Sequence, residues 1–501
     1  MSNATQTMPH AQLRAGDRYK QFTVLASFAV SDYHSQAIHL RHEKTGLEVL
    51  HLLNDDSENL FAFAFRTVNQ KANGAAHILE HSVLCGSEKY PLKDPFIRLS
   101  NQSVKTYLNA MTYPDRTVFP SSSIVKADYF NLMSVYGDAV FFPQLAPEIF
   151  MQEAHRLELD EHGTPSLQGV VYNEMKGAYS SFESVAADYT VRTLTRGSVY
   201  EKDSGGDPLE IPSITHEDLI HFHERWYRPD NCLVFLYGDI PTTEQLDFLQ
   251  TAFLDRLEKK YPTCDTTAAA REQRLASYLA AVTPTVQTEP LTCYEQGPAG
   301  EEQEGRNTVL VNWLFDAPTN SEQQLAYMVL NGVLLNHDGS PLQKALLESS
   351  LGEDVSPQTG LECGLYNSFF TVGLRGVKKG DEECVKDVIF HTLEDLAANG
   401  IPHSELEATM MALEYSHREI KRAHGPYALR LMGNAVRSWS YGFDMQKGFR
   451  LRADLERVRK RIESEPRVLE RMIETLLLQN QRQSLETDGH TPRQRGDRKM
   501  V

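Results

Sequence analysis

The run His77-Ile78-Leu79-Glu80-His81 sets two imidazoles four residues apart, with a carboxylate one residue before the second. On a helix, positions i and i+4 stack on one face, so both rings can reach a single cation. Two neutral imidazoles with a carboxylate ligand suit zinc and leave a fourth position for water. The order H-x-x-E-H inverts the better-known H-E-x-x-H metallopeptidase motif. With 18 histidines in 501 residues, such a pentapeptide arises by chance in roughly one chain in twenty, so it needs support from its surroundings. Both flanks are apolar (Ala75, Ala76, Ile78, Leu79, Val83 and Leu84), which predicts a buried helix rather than a solvated one. A buried His-Glu-His set needs partners for its polar atoms, and a metal is the economical one. A third protein ligand is required. Glu174, within Asn173-Glu174-Met175-Lys176-Gly177, offers a carboxylate. Pattern alone does not separate it from the other glutamates, whose ordinary role is an exposed helix charge.

The elements that must position these residues follow from apolar periodicity and turn chemistry. Leu60 to Val68 reads as a buried strand, and Lys71-Ala72-Asn73-Gly74 as a loop. Ala75 to Leu84 reads as a helix stopped by Gly86. Residues 103–119 read as a hairpin turning at Pro114-Asp115, 126–141 as an amphipathic helix, and 168–180 as a helix broken by Gly177. Cys232 to Tyr237 is another buried strand. A polar stretch of about 259–306, with Pro262, Pro284, Pro290 and the acidic run Glu301 to Glu304, reads as the main linker. The alternation then restarts: strand Thr308 to Phe315, helix Glu322 to Leu335, strand Tyr366 to Val377, and helices Glu382 to Ala398 and Ser404 to Arg422. The helix after the first of these strands has no His pair, so any metal site lies in the first domain.

The fold class expected is therefore α+β, with two related αβ domains. The boundaries read as tail 1–22, metal-binding domain 23–260, linker 261–306, metal-free domain 307–444, helical hairpin 445–480 and disordered tail 481–501. The hairpin rests on one apolar stripe per arm (Leu451, Leu455, Val458, Ile462, then Val468, Leu469, Met472, Ile473, Leu476), split by Pro466. The disordered tail rests on the scarcity of large apolar residues after Gln479.

Composition narrows the function. Hydrophobic residues at 41% and charged residues at 24% fit a globular protein. No run approaches the ~20 apolar residues of a spanning helix, so no membrane role is expected. Acidic residues outnumber basic ones, 68 to 50, for a formal charge of −18. That disfavours nucleic acid, which needs a basic surface. Six scattered cysteines without a C-x-x-C pair fit a reducing compartment, hence a cytoplasmic location. Arg14, Arg18 and Lys20 keep a mitochondrion or plastid as the alternative.

The runs Gly74 to Phe96 (GAAHILEHSVLCGSEKYPLKDPF), YLNAMTYPDRTVFP, DAVFFP, GVVYNEMKGAYSS, FHERWYRPDNCLVFLYGD and GSPLQKALLES resemble the presequence protease branch of the pitrilysin/insulinase family. The likeness keeps its order from about residue 20 to residue 478. It implies His77, His81 and Glu174 as ligands of one zinc ion and Glu80 as general base. It also implies that Leu108, Asn109, Ala110 and Met111 form the edge strand on which an extended peptide lies, held by main-chain hydrogen bonds. Zinc would acidify its water and polarise the scissile carbonyl, while Glu80 takes the proton and passes it to the leaving amine. The resemblance implies a zinc metalloendopeptidase for unstructured peptides.

Two departures stand out. Ala75-Ala76 replaces the Val-Pro usual in the family at the helix start. Family members resemble two halves, about twice this length together, with an Arg/Tyr pair from the second half steadying the substrate carbonyl. The sequence after about residue 484 departs from the family pattern. The expectation is zinc binding with weak proteolysis unless a second chain, or a C-terminal half, completes the chamber. The alternative is a non-catalytic or truncated member that only binds zinc.

Overall fold

The computed structural model describes residues 13–297, 306–318, 320–420, 422 and 425–490. Two αβ units follow one another. In the first, nine strands form one sheet whose centre runs Glu48–Leu53, Cys232–Gly238, Asn59–Arg66, Arg116–Ser123. Cys232–Gly238 lies parallel to Glu48–Leu53, and the other two neighbouring pairs of that centre are antiparallel. The edge beyond Arg116–Ser123 carries Tyr107–Leu108 and Met111–Tyr113.

Side-chain alternation divides this sheet into two faces. Phe61, Phe63 and Phe65 point to a core shared with Ile78, Leu79, Tyr136 and Phe141. Leu60, Ala62 and Ala64 point the other way, to Leu431, Met432 and Ala435. These belong to the helix Ala428–Tyr441, which the sequence placed with the second domain and which packs on the first sheet. The small alanines on that face suit a close helix-on-sheet approach.

The second unit repeats the arrangement. Leu291–Gly297 runs parallel to Gln483–His490, which is antiparallel to Arg306–Leu314, itself antiparallel to Phe369–Lys378. Gln483–His490 thus occupies the place that Cys232–Gly238 holds in the first sheet. The expected α+β class with two related domains is what the structure has.

Three boundaries read from sequence need correction, and the expected hairpin packs more closely than its reading suggested. The stretch 261–306 is not a plain linker: it holds the helix Ala268–Val282 and the strand Leu291–Gly297. That helix is rich in helix-forming Ala, Leu, Arg, Glu and Gln, with Leu275, Tyr278, Leu279 and Val282 at helical spacing, but only Tyr278 and Val282 are buried and the prolines around it read as a linker's. The tail expected from 481 is ordered through a central strand, while 491–501 lie outside the described residues. Its Glu486 and Asp488 are buried, a placement that composition argues against and that ladder pairing on both sides imposes. The two arms of the expected hairpin are present, as Leu451–Ser464 and Val468–Ile473, but they do not stand apart. Their Leu455, Val458, Val468, Leu469 and Ile473 complete the second core. Finally, the expected N-terminal tail includes the strand Arg18–Tyr19, and Phe22, fully buried, opens the next strand. Residues 1–12 and the acidic run Glu301 to Glu304 lie outside the described residues.

Candidate metal centre

The helix Ala75–Val83 follows the strand Asn59–Arg66 after a short loop, and all its residues but His81 are buried. Ile78, Leu79 and Val83 anchor it in the first core. Its start depends on Gly74, which has φ +71°. A Cβ there would come within 2.9 Å of the Gly205 carbonyl oxygen, so the loop Gly205-Gly206 can lie against the helix only over glycine. That approach sets the first imidazole. His77 Nδ1 sits 3.2 Å from the Gly205 oxygen and donates to it, which leaves Nε2 bare. Asn69 Oδ1 accepts from the Ala76 N–H at 3.3 Å and serves one of the helix's open donors.

The second imidazole is set by a residue that the sequence did not single out. Glu153 ends the helix Pro147–Glu153 and is buried. Its Oε2 lies 3.1 Å from His81 Nδ1, again leaving Nε2 bare. Burial by itself would lower the His81 pKa, but the bond to Glu153 and the charges of Glu80, Glu153 and Glu174 raise it overall. Burial pushes the Glu153 carboxyl up, yet hydrogen bonds from His81 and Gln152 hold it below the usual carboxylate value. A carboxylate behind a histidine that fixes its tautomer is a frequent companion of metal ligands. No spacing or periodicity ties Glu153 to His81, so pattern reasoning had no means of finding it.

Glu174 comes from the helix Val170–Ala178. Its Oε1 lies 3.7 Å from His77 Nε2 and its Oε2 lies 3.9 Å from His81 Nε2. The donor atoms of His77, His81 and Glu174 all fall within 4.8 Å of one another. A tetrahedral ion with bonds of about 2.0–2.2 Å asks for donors about 3.4 Å apart, so shifts below an ångström close the set. The donor chemistry, two bare imidazole nitrogens and one carboxylate, fits zinc.

Glu80 is buried beside this set. Its Oε2 accepts a hydrogen bond from Thr112 Oγ1 at 2.7 Å. Thr112 lies in the edge strand Met111–Tyr113, so the expected peptide-binding edge reaches the expected base directly. Leu108 and Met111 sit in two short strands on that edge, with Asn109 and Ala110 between them. The Asn109 N–H bonds the Pro120 oxygen at 3.3 Å and its own carbonyl accepts from Tyr136 at 3.3 Å. Thr112 was likewise missed by sequence reasoning, although it directly follows the predicted edge residues.

Comparison with known proteins adds the following. Residues 213–413 match the family described as the peptidase M16 inactive domain. That match begins beyond the metal helix and runs through most of the second unit. Presequence protease 1, chloroplastic/mitochondrial, of Arabidopsis thaliana is 37% identical over 459 residues, covering 90% of this chain and 41% of that protein. The chain therefore spans less than half the length of this relative. A protease from Helicobacter pylori is similar in structure, with TM-score 0.68, 16% identity, and coverage of 89% of this chain and 98% of that one. The first half of the periplasmic protease PqqL from Escherichia coli gives TM-score 0.60 at 15% identity, covering 90% of this chain and 91% of that one.

Proposed function

The chain belongs to the pitrilysin-like M16 peptidase family, with the presequence proteases among its relatives, and on that premise we propose that it is the zinc-bearing part of a metalloendopeptidase acting on unstructured peptides. One observation carries the reading: His77, His81 and Glu174 converge their donor atoms, with Glu80 held beside them.

His77 and His81 would hold zinc through Nε2, and Glu174 through its carboxylate. When bound, the ion would supply a Lewis acid that makes water acidic near neutral pH and polarises a carbonyl. Thr112 fixes Oε2 of Glu80, leaving Oε1 to take a proton and deliver it to a leaving amine. The edge strand around Met111–Tyr113 would hold a peptide main chain by strand addition, which tolerates varied sequences.

Proteolysis is expected to need a second half, from another chain or from more of this one. Absence of transition-state donors lowers rates by about 100- to 1,000-fold per group. The alternative is a member that binds zinc and turns over nothing. A cytoplasmic location is the working choice, with an organelle as the alternative that the relatives' names support. No described helix is long and apolar enough to cross a membrane.

The test is Glu80→Gln. Metal content by mass spectrometry is expected to stay at one zinc per chain, while cleavage of an unfolded peptide, with any second half supplied, is lost. Full activity in that variant, or no bound metal in the parent, refutes the assignment. Size-exclusion chromatography with light scattering, with and without a candidate second half, distinguishes the half-enzyme from the metal-binding alternative.

A further inference from the structure

The Gly205 carbonyl that orients His77 has a support of its own. Asp203 Oδ1 accepts from the Gly205 N–H at 2.8 Å. The other oxygen, Oδ2, accepts from the Tyr179 hydroxyl at 2.9 Å. Tyr179 is the C-cap of Val170–Ala178, the helix that carries Glu174. One half-buried carboxylate therefore meets the loop behind His77 on one side and the end of the Glu174 helix on the other.

Packing wedges this loop between the two ligand-bearing helices. The Asp207 N–H bonds the Ala72 carbonyl at 2.7 Å, just before the metal helix. A Cβ on Gly206 would come within 2.8 Å of Gly74 Cα, and one on Gly205 within 2.8 Å of the Met175 methyl carbon. Met175 follows Glu174 directly and is buried in the first core. Tyr179 is held in turn. Arg192 Nη2 donates to its oxygen at 2.8 Å, which leaves the hydroxyl hydrogen for Asp203. An aspartate that only shaped its own turn would need Oδ1 alone. The bond from Oδ2 reaches a segment 24 residues away.

We propose that Asp203 is a positioning residue of the metal centre, setting the His77 ring through Gly205 and the seat of Glu174 through Tyr179. The inference rests on the zinc reading above. A carboxylate offers two acceptor oxygens and serves both donors at once, whereas an amide offers one. His77 Nε2 and Glu174 Oε1 stand 3.7 Å apart, so a small shift of either helix changes how well the pair fits one ion. Loss of Asp203 frees both elements together.

The test uses the full chain and two readouts. Zinc affinity comes from competition against a chromophoric chelator. The His77 ring is followed by long-range proton–nitrogen NMR of the metal-free protein with nitrogen-labelled histidines, its signal identified by loss in His77→Gln. Zinc binding by the parent tests the peptidase reading; the ring signal is taken without metal, so the two can fail separately. Asp203→Ala is expected to raise the zinc dissociation constant about tenfold, the low end for groups behind metal-bound histidines. It should also move the His77 signal from the Nδ1–H form toward the Nε2–H form. Tyr179→Phe removes one of the two bonds and is expected to weaken zinc about threefold, with the ring signal unmoved. Asp203→Asn keeps an acceptor for the Gly205 N–H and should match Tyr179→Phe in both readouts. That pair decides the matter if Asp203→Ala does not fold by circular dichroism. The proposal is overturned if folded Asp203→Ala keeps the parent's zinc affinity or ring signal, or if Tyr179→Phe and Asp203→Asn bind zinc like the parent.

Discussion

Removing Glu153 should weaken zinc binding without touching a ligand. The side chain is buried and its bond to His81 Nδ1 is 3.1 Å long. Hydrogen bonds to charged groups contribute about 1.5–3 kcal/mol, equivalent to about 10- to 150-fold in an equilibrium constant. Losses of about 10- to 100-fold are usual when a carboxylate behind a metal-bound histidine is removed. Glu153→Ala should therefore raise the zinc dissociation constant by about one to two powers of ten, and Glu153→Gln, which keeps an acceptor oxygen, by severalfold. Competition against a chromophoric chelator reads both values. The parent should also lose zinc as pH falls through the raised His81 pKa, because a proton then competes for Nε2. Glu153→Ala removes the main bond that raises that pKa, so the pH below which its zinc dissociation constant starts to climb should move down, although the constant itself is larger at every pH above that point. An alanine variant that folds and binds zinc like the parent refutes the role given to Glu153.

The buried Asp488 carboxyl is pushed up to about 7, chiefly by burial. The unfolded chain ionises near 3.8, so the folded state holds more protons between the two values and stability falls as pH rises across that window. About three units correspond to roughly 4 kcal/mol at most, and Asp488→Asn should flatten the melting temperature against pH; an unchanged slope contradicts the placement. Ile473 is fully buried in the second core. Ile473→Ala should cost about 2–5 kcal/mol in denaturant unfolding, whereas a free-standing hairpin would leave the midpoint unmoved.

The sequence by itself set the imidazoles of His77 and His81 on one face of one helix, because i, i+4 spacing is local and needs no tertiary knowledge. The apolar flanks of His77 and His81 also foretold burial of that helix. The repeated strand-helix order showed two related units. Glu174, nearly a hundred residues away, became visible only through likeness to a family, and the fold then brought it to 3.7 Å from His77. Tertiary structure alone decided which groups stand behind His77, His81 and Glu80. Glu153, Thr112 and the Gly205 carbonyl arrive from separate segments whose local sequences carry no trace of their partner. It also decided the polar stretches. Gln483–His490 reads as disordered from composition, yet hydrogen bonding on both edges makes it a central strand. Short-range pattern reports what a residue's neighbours in the chain require; pairing across a sheet and the groups behind the His77–His81 pair depend on neighbours that only folding supplies.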